Sequence, residues 1–469
     1  MTAAPAPSPA EIARAGQCIG CGLCAAMGPA SARMGFDRYG QLKPQGGRDF
    51  LDSRSTLFAR VCPFSPRARN EDDVARELFA DAPATDARLG RFSALFAGHA
   101  GEPLRASGSS GAMTSWFALT LLRSGEVDAV AHVAGAGQPG GKEPMFAYRL
   151  SRTADELLAG ARSRYFPVEM SGVLRDIQRA PGRYAVVGLP CFIKGVQLAR
   201  EQDPILRERI TWTIGLFCGH MKSARMADSF AWQLGARPAA LKRLEYRLKD
   251  PHRPANIYAA EARFRDGAVR RSDWSSFADG DWGAGFFQNA ACDLCDDVVA
   301  ETADVAFGDA WAEPYAADGR GANVVVARRP AAAALLRKAA ALDEISLAEV
   351  DAAFVAGAQA AGFRHRREGL AHRLTQPASP LRPTKRVAAR REPDPQRRRI
   401  YQTRRLISRW SHWMMWLARR LEWPALYLCW ARTALAVYHG AAYYRGRLGA
   451  VIARYDRLRG RSRPSSGPA

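Results

Sequence analysis

Three cysteines near the N-terminus constrain this chain more than any other feature. Cys18, Cys21 and Cys24 are each separated by two residues, so one tight loop can turn all three thiols toward one point. A fourth thiol, Cys62, is followed directly by Pro63. A C-x2-C-x2-C run completed by a distant Cys-Pro is typical of a 4Fe–4S site. The first four cysteines therefore predict an iron–sulfur cluster.

Zinc and disulfides are the alternative uses of these thiols. Structural zinc sites usually take two separated C-x2-4-C pairs instead of a triplet. Disulfides belong to oxidising compartments. The first residues of the chain have neither the basic nor the apolar region of a secretory signal, so we expect a cytoplasmic protein with reduced thiols.

Four further cysteines predict a second metal site. Cys191 and Cys218 each follow an apolar run that we predict to be a buried strand, and Cys292 and Cys295 form a C-x2-C pair. Cofactors collect at the carboxyl ends of strands in open α/β sheets, so these four thiols are expected to meet there. We favour a second 4Fe–4S cluster over zinc because the neighbouring module already carries one. Cys429 is left over.

A loop rich in Gly and Ser precedes an apolar segment that we predict to be a helix. The candidate binding residues of this loop are Arg105, Ser107, Gly108, Ser109, Ser110 and Gly111. Such a loop gathers unpaired backbone amides and the positive end of the helix dipole, which suits a phosphate. The arginine could pair with that phosphate or be solvated. The same pattern also describes an ordinary loop, so the motif leaves both readings open.

The net charge of +22 is concentrated at the C-terminal end. Residues 382–469 hold 21 of the 68 Lys and Arg but only four of the 46 Asp and Glu. The rest of the chain is close to neutral, so the charge says little about the chemistry of the body. Because no nucleic-acid-binding motif accompanies it, we do not expect a nucleic-acid partner.

The basic end is predicted to be a helical tail behind a linker. Arg382 to Pro395 is predicted to be a disordered linker, and Arg397 to Arg459 mixes arginines with tryptophans in apolar runs shorter than a membrane-spanning helix. Basic, Trp-rich amphipathic helices often lie on anionic membranes, which predicts peripheral contact at the inner face of a membrane. The alternative is that the helices dock on the body or on a partner subunit, with the basic face solvated.

Taken together, these motifs resemble the coenzyme F420 hydrogenase/dehydrogenase beta-subunit family of iron–sulfur flavoproteins, which includes 7-hydroxymethyl chlorophyll a reductase-like enzymes. The resemblance runs from about Gln17 to Ala340. It rests on Cys18–Cys24 with Cys62-Pro63, Tyr39-Gly40, Ser107–Gly111, Gly125–Asp128, Ser163–Tyr165, Gly188–Cys191, Phe217–His220, Cys292–Cys295, Asp304, Gly308–Trp311 and Gly321–Val326. One departure is Ser110-Gly111-Ala112, which stands where a double glycine is usual.

The resemblance implies the cofactors and the reaction class. FAD would bind around the Gly/Ser loop and a turn formed by Ser163, Arg164 and Tyr165, and the two cysteine sets would each hold a 4Fe–4S cluster. An oxidoreductase of this kind would exchange electrons with ferredoxin or another carrier, and coenzyme F420 or an organic substrate would take the hydride. No acid/base residue is assigned. The alternatives are an electron-transfer beta subunit of a larger complex without its own organic substrate, and a zinc-stapled binding protein.

The expected fold is α/β with mixed α+β character, in four parts. These are an N-terminal ferredoxin-like 4Fe–4S module (1–85), an N-terminal flavin-binding region of the family (86–180), a C-terminal domain of the family with the second cluster (181–380), and the basic Trp-rich helical tail (381–469).

Overall fold

The centre of the molecule is an eight-stranded mixed sheet, seen in a computed structural model that describes residues 6–135, 144–377 and 379–458. The strands are β1 (Arg33–Phe36), β2 (Leu42–Gln45), β3 (Ala84–Asp86), β4 (Gly90–Phe92), β5 (Ala94–Ala100), β6 (Ala129–Gly135), β7 (Phe146–Ser151), β8 (Tyr184–Gly188), β9 (Ile210–Leu216), β10 (Leu241–Leu248), β11 (Ala259–Phe264), β12 (Val269–Asp273), β13 (Val305–Asp309), β14 (Asn323–Ala327) and β15 (Ile345–Glu349). The sheet order is β15-β5-β14-β13-β9-β8-β6-β7.

Four neighbouring strands of this sheet, β13, β9, β8 and β6, run parallel, and the outer pairs are antiparallel. Parallel strands are buried on both faces and therefore read as continuous apolar runs. β14 is antiparallel to its neighbours but is also buried on both faces. Val325 packs into one core, while Val324 and Val326 pack into another on the opposite face. The α/β fold expected from the sequence is confirmed.

Helices cover both faces of the sheet and extend the fold at either end of the chain. They are α1 (Pro9–Arg14), α2 (Leu23–Ala26), α3 (Arg48–Leu51), α4 (Thr56–Val61), α5 (Glu71–Leu78), α6 (Leu104–Ser107), α7 (Met113–Arg123), α8 (Ala154–Ala159), α9 (Ser171–Arg179), α10 (Pro190–Gln202), α11 (Pro204–Arg209), α12 (Arg225–Gln233), α13 (Pro330–Ala341), α14 (Ala352–Ala358), α15 (Ala360–Phe363), α16 (Gly369–Leu374), α17 (Pro395–Arg420), α18 (Pro424–Tyr443) and α19 (Gly446–Leu458). A π-helical turn, Arg364–Glu368, joins α15 to α16.

One hydrophobic core joins the N-terminal segment, the body and the tail. It contains Leu23 and Phe64 from the N-terminal segment, Phe192 from α10, and Ile407 and Met415 from α17. Three smaller sheets, β1-β2, β3-β4 and β10-β11-β12, lie outside the main one. The boundaries given above for the four parts stay a prediction.

The tail is helical, as expected, and it docks on the body. Ser411 Oγ of α17 accepts a hydrogen bond from the Phe287 amide at 2.9 Å, and Ser408 Oγ donates to the Gln288 carbonyl at 2.8 Å. In the described ranges, every helix is too short or too polar to cross a membrane.

The expectation of a disordered linker is wrong. Residues 379–394 form neither helix nor strand, but the side chains of Arg382, Lys385 and Arg386 are held by contacts with the rest of the protein. Lys385 Nζ pairs with Asp296 at 2.9 Å, and Arg386 pairs with Glu301 and Asp72. Buried counter-charges order a segment whose composition alone suggests disorder.

Candidate functional site

The first four cysteines surround one mostly apolar pocket. It is lined by Cys18, Cys21, Cys24 and Cys62 together with Pro9, Ile12, Ile19, Gly20, Gly22, Leu23, Met34, Pro44, Phe58, Pro63 and Phe64. The loop turns tightly because Gly20 and Gly22 both adopt left-handed backbone, with φ near +86° and +85°. A Cβ on Gly20 would also lie 2.8 Å from the Leu42 carbonyl oxygen. The predicted convergence of these thiols is therefore present.

The peptide backbone points hydrogen-bond donors at this pocket. The amides of Gly20, Leu23, Ala25 and Phe64 face the sulfur atoms of Cys18, Cys21, Cys24 and Cys62 respectively. Amide donors aimed at sulfur stabilise thiolates that are bound to metal. Lys43 lies beside Cys18 and Lys194 beside Cys62, so two cations offset negative charge at the edge of the set.

The second four cysteines meet at the carboxyl ends of the parallel strands. Cys191 lies in the first turn of α10, directly after β8, and Cys218 follows β9. Cys292 and Cys295 come from a short 3₁₀ turn before β13. Cys191 interacts electrostatically with each of the other three thiols, so the expected convergence is present here too.

Burial makes both sets poor thiolates on their own. It raises the pKa of all eight thiols, to about 12 for Cys62 and Cys292 and about 11 for Cys295. None of these cysteines is in a disulfide. Buried thiols clustered in fours deprotonate when a metal takes the place of the protons.

Each set of four thiols matches the four thiolate ligands that a 4Fe–4S cluster takes. Among the described residues, no group of three or more His, Cys, Asp or Glu side chains is arranged to hold a metal ion. A cubane cluster keeps its four thiolates around a body of iron and sulfide, so its cysteines surround a space instead of meeting at one point. The four cysteines of the first set line one pocket.

Arg366 is a site residue that the sequence reasoning missed. Its Nη1 donates to Cys295 Sγ at 2.7 Å and also contacts the Asp297 carbonyl, and its Nη2 donates to the Gly219 carbonyl at 2.8 Å. The only sequence signal is the charged run Arg364–Glu368 between apolar helices, which reads as a solvated turn.

The two cysteine sets are neighbours. Cys21 of the first set interacts electrostatically with Cys191 of the second. The Tyr148 side chain lies beside both of these cysteines, and its hydroxyl donates to the Val187 carbonyl at 3.0 Å. The loop of the first set is also tied to the second, because Asn289 Nδ2 donates to the Cys18 carbonyl at 3.4 Å.

The two segments expected to bind flavin also adjoin each other. Ser109 Oγ accepts a hydrogen bond from the Ser163 amide at 2.9 Å, and Arg162 Nε donates to the Ser107 carbonyl at 3.2 Å. Among the described residues, no hydrogen bond engages the backbone amides from Ser109 to Ala112, which precede α7. Free amides at the start of a helix fit a phosphate.

Several predicted flavin residues are occupied within the protein. Arg105 is buried, and its guanidinium donates to Asp318 at 2.9 Å and to the Gly321 carbonyl. Ser107 donates to the Leu104 carbonyl and Ser110 to the Ala322 carbonyl. These side chains shape the loop, which leaves its backbone as the group that could meet a ligand.

Close packing explains the glycines of the loop. A Cβ on Gly111 would lie 2.8 Å from Asn323 Oδ1 and 2.9 Å from the Gly98 carbonyl oxygen, and one on Gly108 would lie 2.8 Å from the Ala112 Cβ. Ala112 has a positive φ of 60°, the conformation that favours glycine. The family resemblance leads one to expect a glycine at position 112, and a glycine would adopt this conformation without strain.

The Ser163–Tyr165 turn connects this loop to the second cysteine set. Arg164 Nη1 pairs with Glu245 at 2.6 Å. The Tyr165 ring packs on Trp282 with 4.8 Å between ring centroids. Burial raises the pKa of Tyr165, and Cys218 adds to that shift, which places this ring beside the second set. His220 stacks on the same Trp282 ring, with 4.4 Å between ring centroids.

Two family models match the chain, over just more than half of its length. Residues 95–175 match the N-terminal model of the coenzyme F420 hydrogenase/dehydrogenase beta subunit, and residues 182–353 match its C-terminal model. No curated protein matches the chain. Among solved structures, a chain of the xenon-derivatised F420-reducing [NiFe] hydrogenase complex from Methanosarcina barkeri aligns with a TM-score of 0.47 and 14% identity, covering 61% of this chain and 94% of that one. On the two family models, the protein belongs to the coenzyme F420 hydrogenase/dehydrogenase beta-subunit family.

Proposed function

We propose that this chain is an iron–sulfur flavoprotein oxidoreductase that passes electrons between a ferredoxin-like or coenzyme F420-type carrier and a substrate, by means of two 4Fe–4S clusters and FAD. Cys18, Cys21, Cys24 and Cys62 would hold one cluster, and Cys191, Cys218, Cys292 and Cys295 the other. The FAD phosphates would meet the loop amides of Ser109–Ala112. A cluster exchanges single electrons and a flavin one or two, so together they connect one-electron carriers with hydride chemistry.

The observation that carries this proposal is an unbroken series of neighbours through the protein. Cys21 of the first set interacts with Cys191 of the second. Cys218 of the second set interacts with Tyr165, and Ser163 of the same turn is hydrogen-bonded to Ser109 of the Gly/Ser loop. Three candidate cofactor positions in a row are what an electron-transfer protein requires, whereas a zinc-stapled binding protein has no need of such a row.

The protein's own contribution is to exclude water and to offset charge. Apolar residues enclose the first set, with Lys43 and Lys194 at its edge. Cys218, Cys292 and Cys295 are buried together with Arg366. Buried cations near sulfur stabilise the added negative charge of a reduced centre.

Anaerobic purification followed by donor assays tests this function. We expect a brown protein that releases a yellow flavin on denaturation. Reduced ferredoxin, reduced F420 and NADPH would then be offered in turn as donors, with bleaching of the flavin absorbance as the readout. Bleaching by one of these donors supports the proposal. A protein that contains iron but releases no flavin would favour the alternative of an electron-transfer subunit without its own substrate.

We further infer that the tail contacts an anionic membrane surface. Leu406, Trp410 and Trp413 recur at helical spacing on α17 and are 58%, 46% and 40% exposed, with the exposed Arg409 and Arg420 on the same helix. Half-exposed tryptophans among arginines suit the headgroup region of anionic lipid. The inner face of α17 packs against the body, so its outer face is the surface available to a partner.

Vesicle sedimentation tests the membrane contact. The full chain should sediment with vesicles of phosphatidylglycerol and phosphatidylcholine, but not with phosphatidylcholine alone, and salt should weaken the binding. The double variant Trp410→Ser/Trp413→Ser should lose most of it. Trp311→Ser is the control, since Trp311 is equally exposed at 40% but lies on the body. Equal binding of both variants, or binding that ignores lipid charge, would contradict the inference and favour a protein partner.

A further inference from the structure

Arg366 lies directly against the second cysteine set. It is 2% exposed and sits in the π-helical turn that follows α15. One nitrogen of its guanidinium donates to Cys295 Sγ at 2.7 Å, and the other donates to the carbonyl of Gly219, the residue after Cys218. A short contact of this kind between a cation and sulfur is a charge-assisted hydrogen bond.

The four thiols are the charge partners of this arginine. Among the described residues, Arg366 forms no ion pair with a carboxylate, and the groups that act on it most strongly after burial are Cys295, Cys218, Cys292 and Cys191. Its Nε has no hydrogen-bond partner. A buried cation without a carboxylate is costly, so the position implies an anionic centre among the thiols.

The other buried cations near this set make different contacts. Lys385 pairs with Asp296 at 2.9 Å. Arg373 Nε donates to the Asp293 carbonyl at 2.9 Å and contacts no sulfur. Near the first set, Lys43 Nζ donates to the Cys18 carbonyl at 2.7 Å, again not to sulfur. Arg366 is thus distinguished by a direct side-chain donor to a cysteine sulfur.

This arginine comes from outside the matched region of the family. The C-terminal family model ends at residue 353, thirteen positions before Arg366. The tail holds the turn in place, because the Tyr401 hydroxyl of α17 donates to the Glu368 carboxylate and packs near His372. The region after the family match therefore completes the surroundings of the second set.

We propose that Arg366 sets the reduction potential of the second cluster, raising it so that this cluster takes an electron more readily than the first. The inference rests on the proposed function, since it requires a cluster at the second set. One electron added to a cluster increases its negative charge, and a fixed cation hydrogen-bonded to a ligand sulfur stabilises that charge. In the part of the chain that the structure describes, the first set has lysines nearby but no side-chain cation donating to a sulfur, so electrons entering there would pass toward the second set.

A redox titration of the full chain, prepared anaerobically and followed by electron paramagnetic resonance, tests this role. The electrons come one at a time from a dithionite-reduced mediator dye. The Cys62→Ala chain, which lacks one ligand of the first set, identifies the signal of each cluster. In Arg366→Met the ratio of reduced to oxidised second cluster at a fixed potential should fall about tenfold, which for a one-electron couple corresponds to 59 mV. The first cluster should not shift.

Two further variants separate charge from packing. Arg366→Lys keeps the charge but loses the planar fork, so a smaller shift in the same direction is expected. Arg328→Met removes another buried arginine, one that donates to the Leu89 and Val299 carbonyls and touches no thiol, and should leave both potentials unchanged.

Unchanged potentials in Arg366→Met, or equal shifts of both clusters, would overturn the proposal. If Arg366→Met failed to retain its second cluster, the potential of the second cluster in Arg366→Lys would be measured instead. An unshifted potential in Arg366→Lys would then show that Arg366 has only a structural role. A wild-type chain without iron would contradict the proposed function instead.

Discussion

Gly111 illustrates how one residue links the sheet to the candidate flavin loop. It packs where β5 and β14 leave no room for a Cβ, against Asn323 and the Gly98 carbonyl. The Asn323 side chain also fixes the start of α7, because its Oδ1 accepts a hydrogen bond from the Met113 amide at 3.1 Å. The loop amides therefore keep their direction only while this packing holds.

Gly111→Ala should lower stability by about 1–3 kcal/mol, since backbone atoms cannot yield to the added methyl group. It should also reduce the flavin content of the purified protein. Gly172→Ala is the matched control, because a Cβ on that residue of α9 meets nothing within 4 Å. Thermal unfolding and flavin extraction check both variants, and a Gly111→Ala chain as stable as Gly172→Ala would contradict the packing argument.

A buried ion pair beside the first cysteine set makes stability depend on pH. Lys194 Nζ lies 3.3 Å from Glu71 Oε1, and both side chains are buried. Burial alone would raise the pKa of Glu71, but Lys194, Lys385 and Arg386 outweigh it and hold that pKa well below its usual range. A carboxyl with a depressed pKa stabilises the fold above its unfolded value of about 4.3, and this stabilisation is lost as the pH falls below that value.

Glu71→Gln should therefore cost about 3–5 kcal/mol at pH 7, because it leaves a buried cation unpaired. The difference from the wild type should shrink as the pH falls from 5 to 3. Glu77→Gln on the same helix changes an exposed carboxylate paired with Arg69, and should cost less than about 1 kcal/mol. Urea unfolding across this pH range checks both, and a Glu71→Gln penalty that does not vary with pH would rule out the linkage.

At the scale of elements, α17 joins the tail to the candidate metal centre. Its Ser408 and Ser411 bind the backbone of residues 287–288, close to Cys292, and His412 lies 3.2 Å from the Gln41 side chain of the N-terminal segment. The tail thus contacts both the N-terminal segment and the segment before Cys292, and its inner face is part of the protein core.

Met415→Ala should detach or loosen this helix. Met415 is fully buried, so the cavity should cost about 2–5 kcal/mol, and trypsin should cut the arginine-rich tail faster. Trp413→Ala, on the exposed face of the same helix, should change neither stability nor cleavage by much. Equal cleavage rates in the two variants would show that the tail is not held by the buried face.

Local patterns in the sequence predicted the elements that carry the cysteines. β8 and β9 are largely apolar runs that end shortly before Cys191 and Cys218, and the Gly/Ser loop precedes α7 as expected. Such features follow from periodicity and turn residues alone. The α/β fold was predicted for this reason, whereas the family was predicted from the resemblance of the cysteine and glycine motifs.

Contacts between distant segments could not be predicted in this way. Arg366 meets Cys295 across 71 positions, and Arg386 meets Glu301 across 85. A charged run is usually solvated, and nothing local distinguishes one that is buried by tertiary packing. The ordered linker and the donor to the second cysteine set were therefore found only in the structure.

For the whole molecule, the proposed electron transfer depends on eight thiols arranged as two neighbouring sets. The chain brings together residues from the N-terminal segment, two strand ends, the 3₁₀ turn before β13 and the region after α15 to build them and their surroundings. The first set lies entirely in the N-terminal segment, whereas the second set is assembled from separate parts of the body. The second set should therefore form only when the body is folded, and the contact between the two sets requires the N-terminal segment to be folded on the body.

Iron and acid-labile sulfide analysis of the anaerobically purified full chain tests this claim most directly. Two 4Fe–4S clusters predict about eight iron and eight sulfide per chain, with Cys62→Ala and Cys292→Ala each losing up to half. A folded chain with stoichiometric zinc, or with neither iron nor sulfide, would contradict the account.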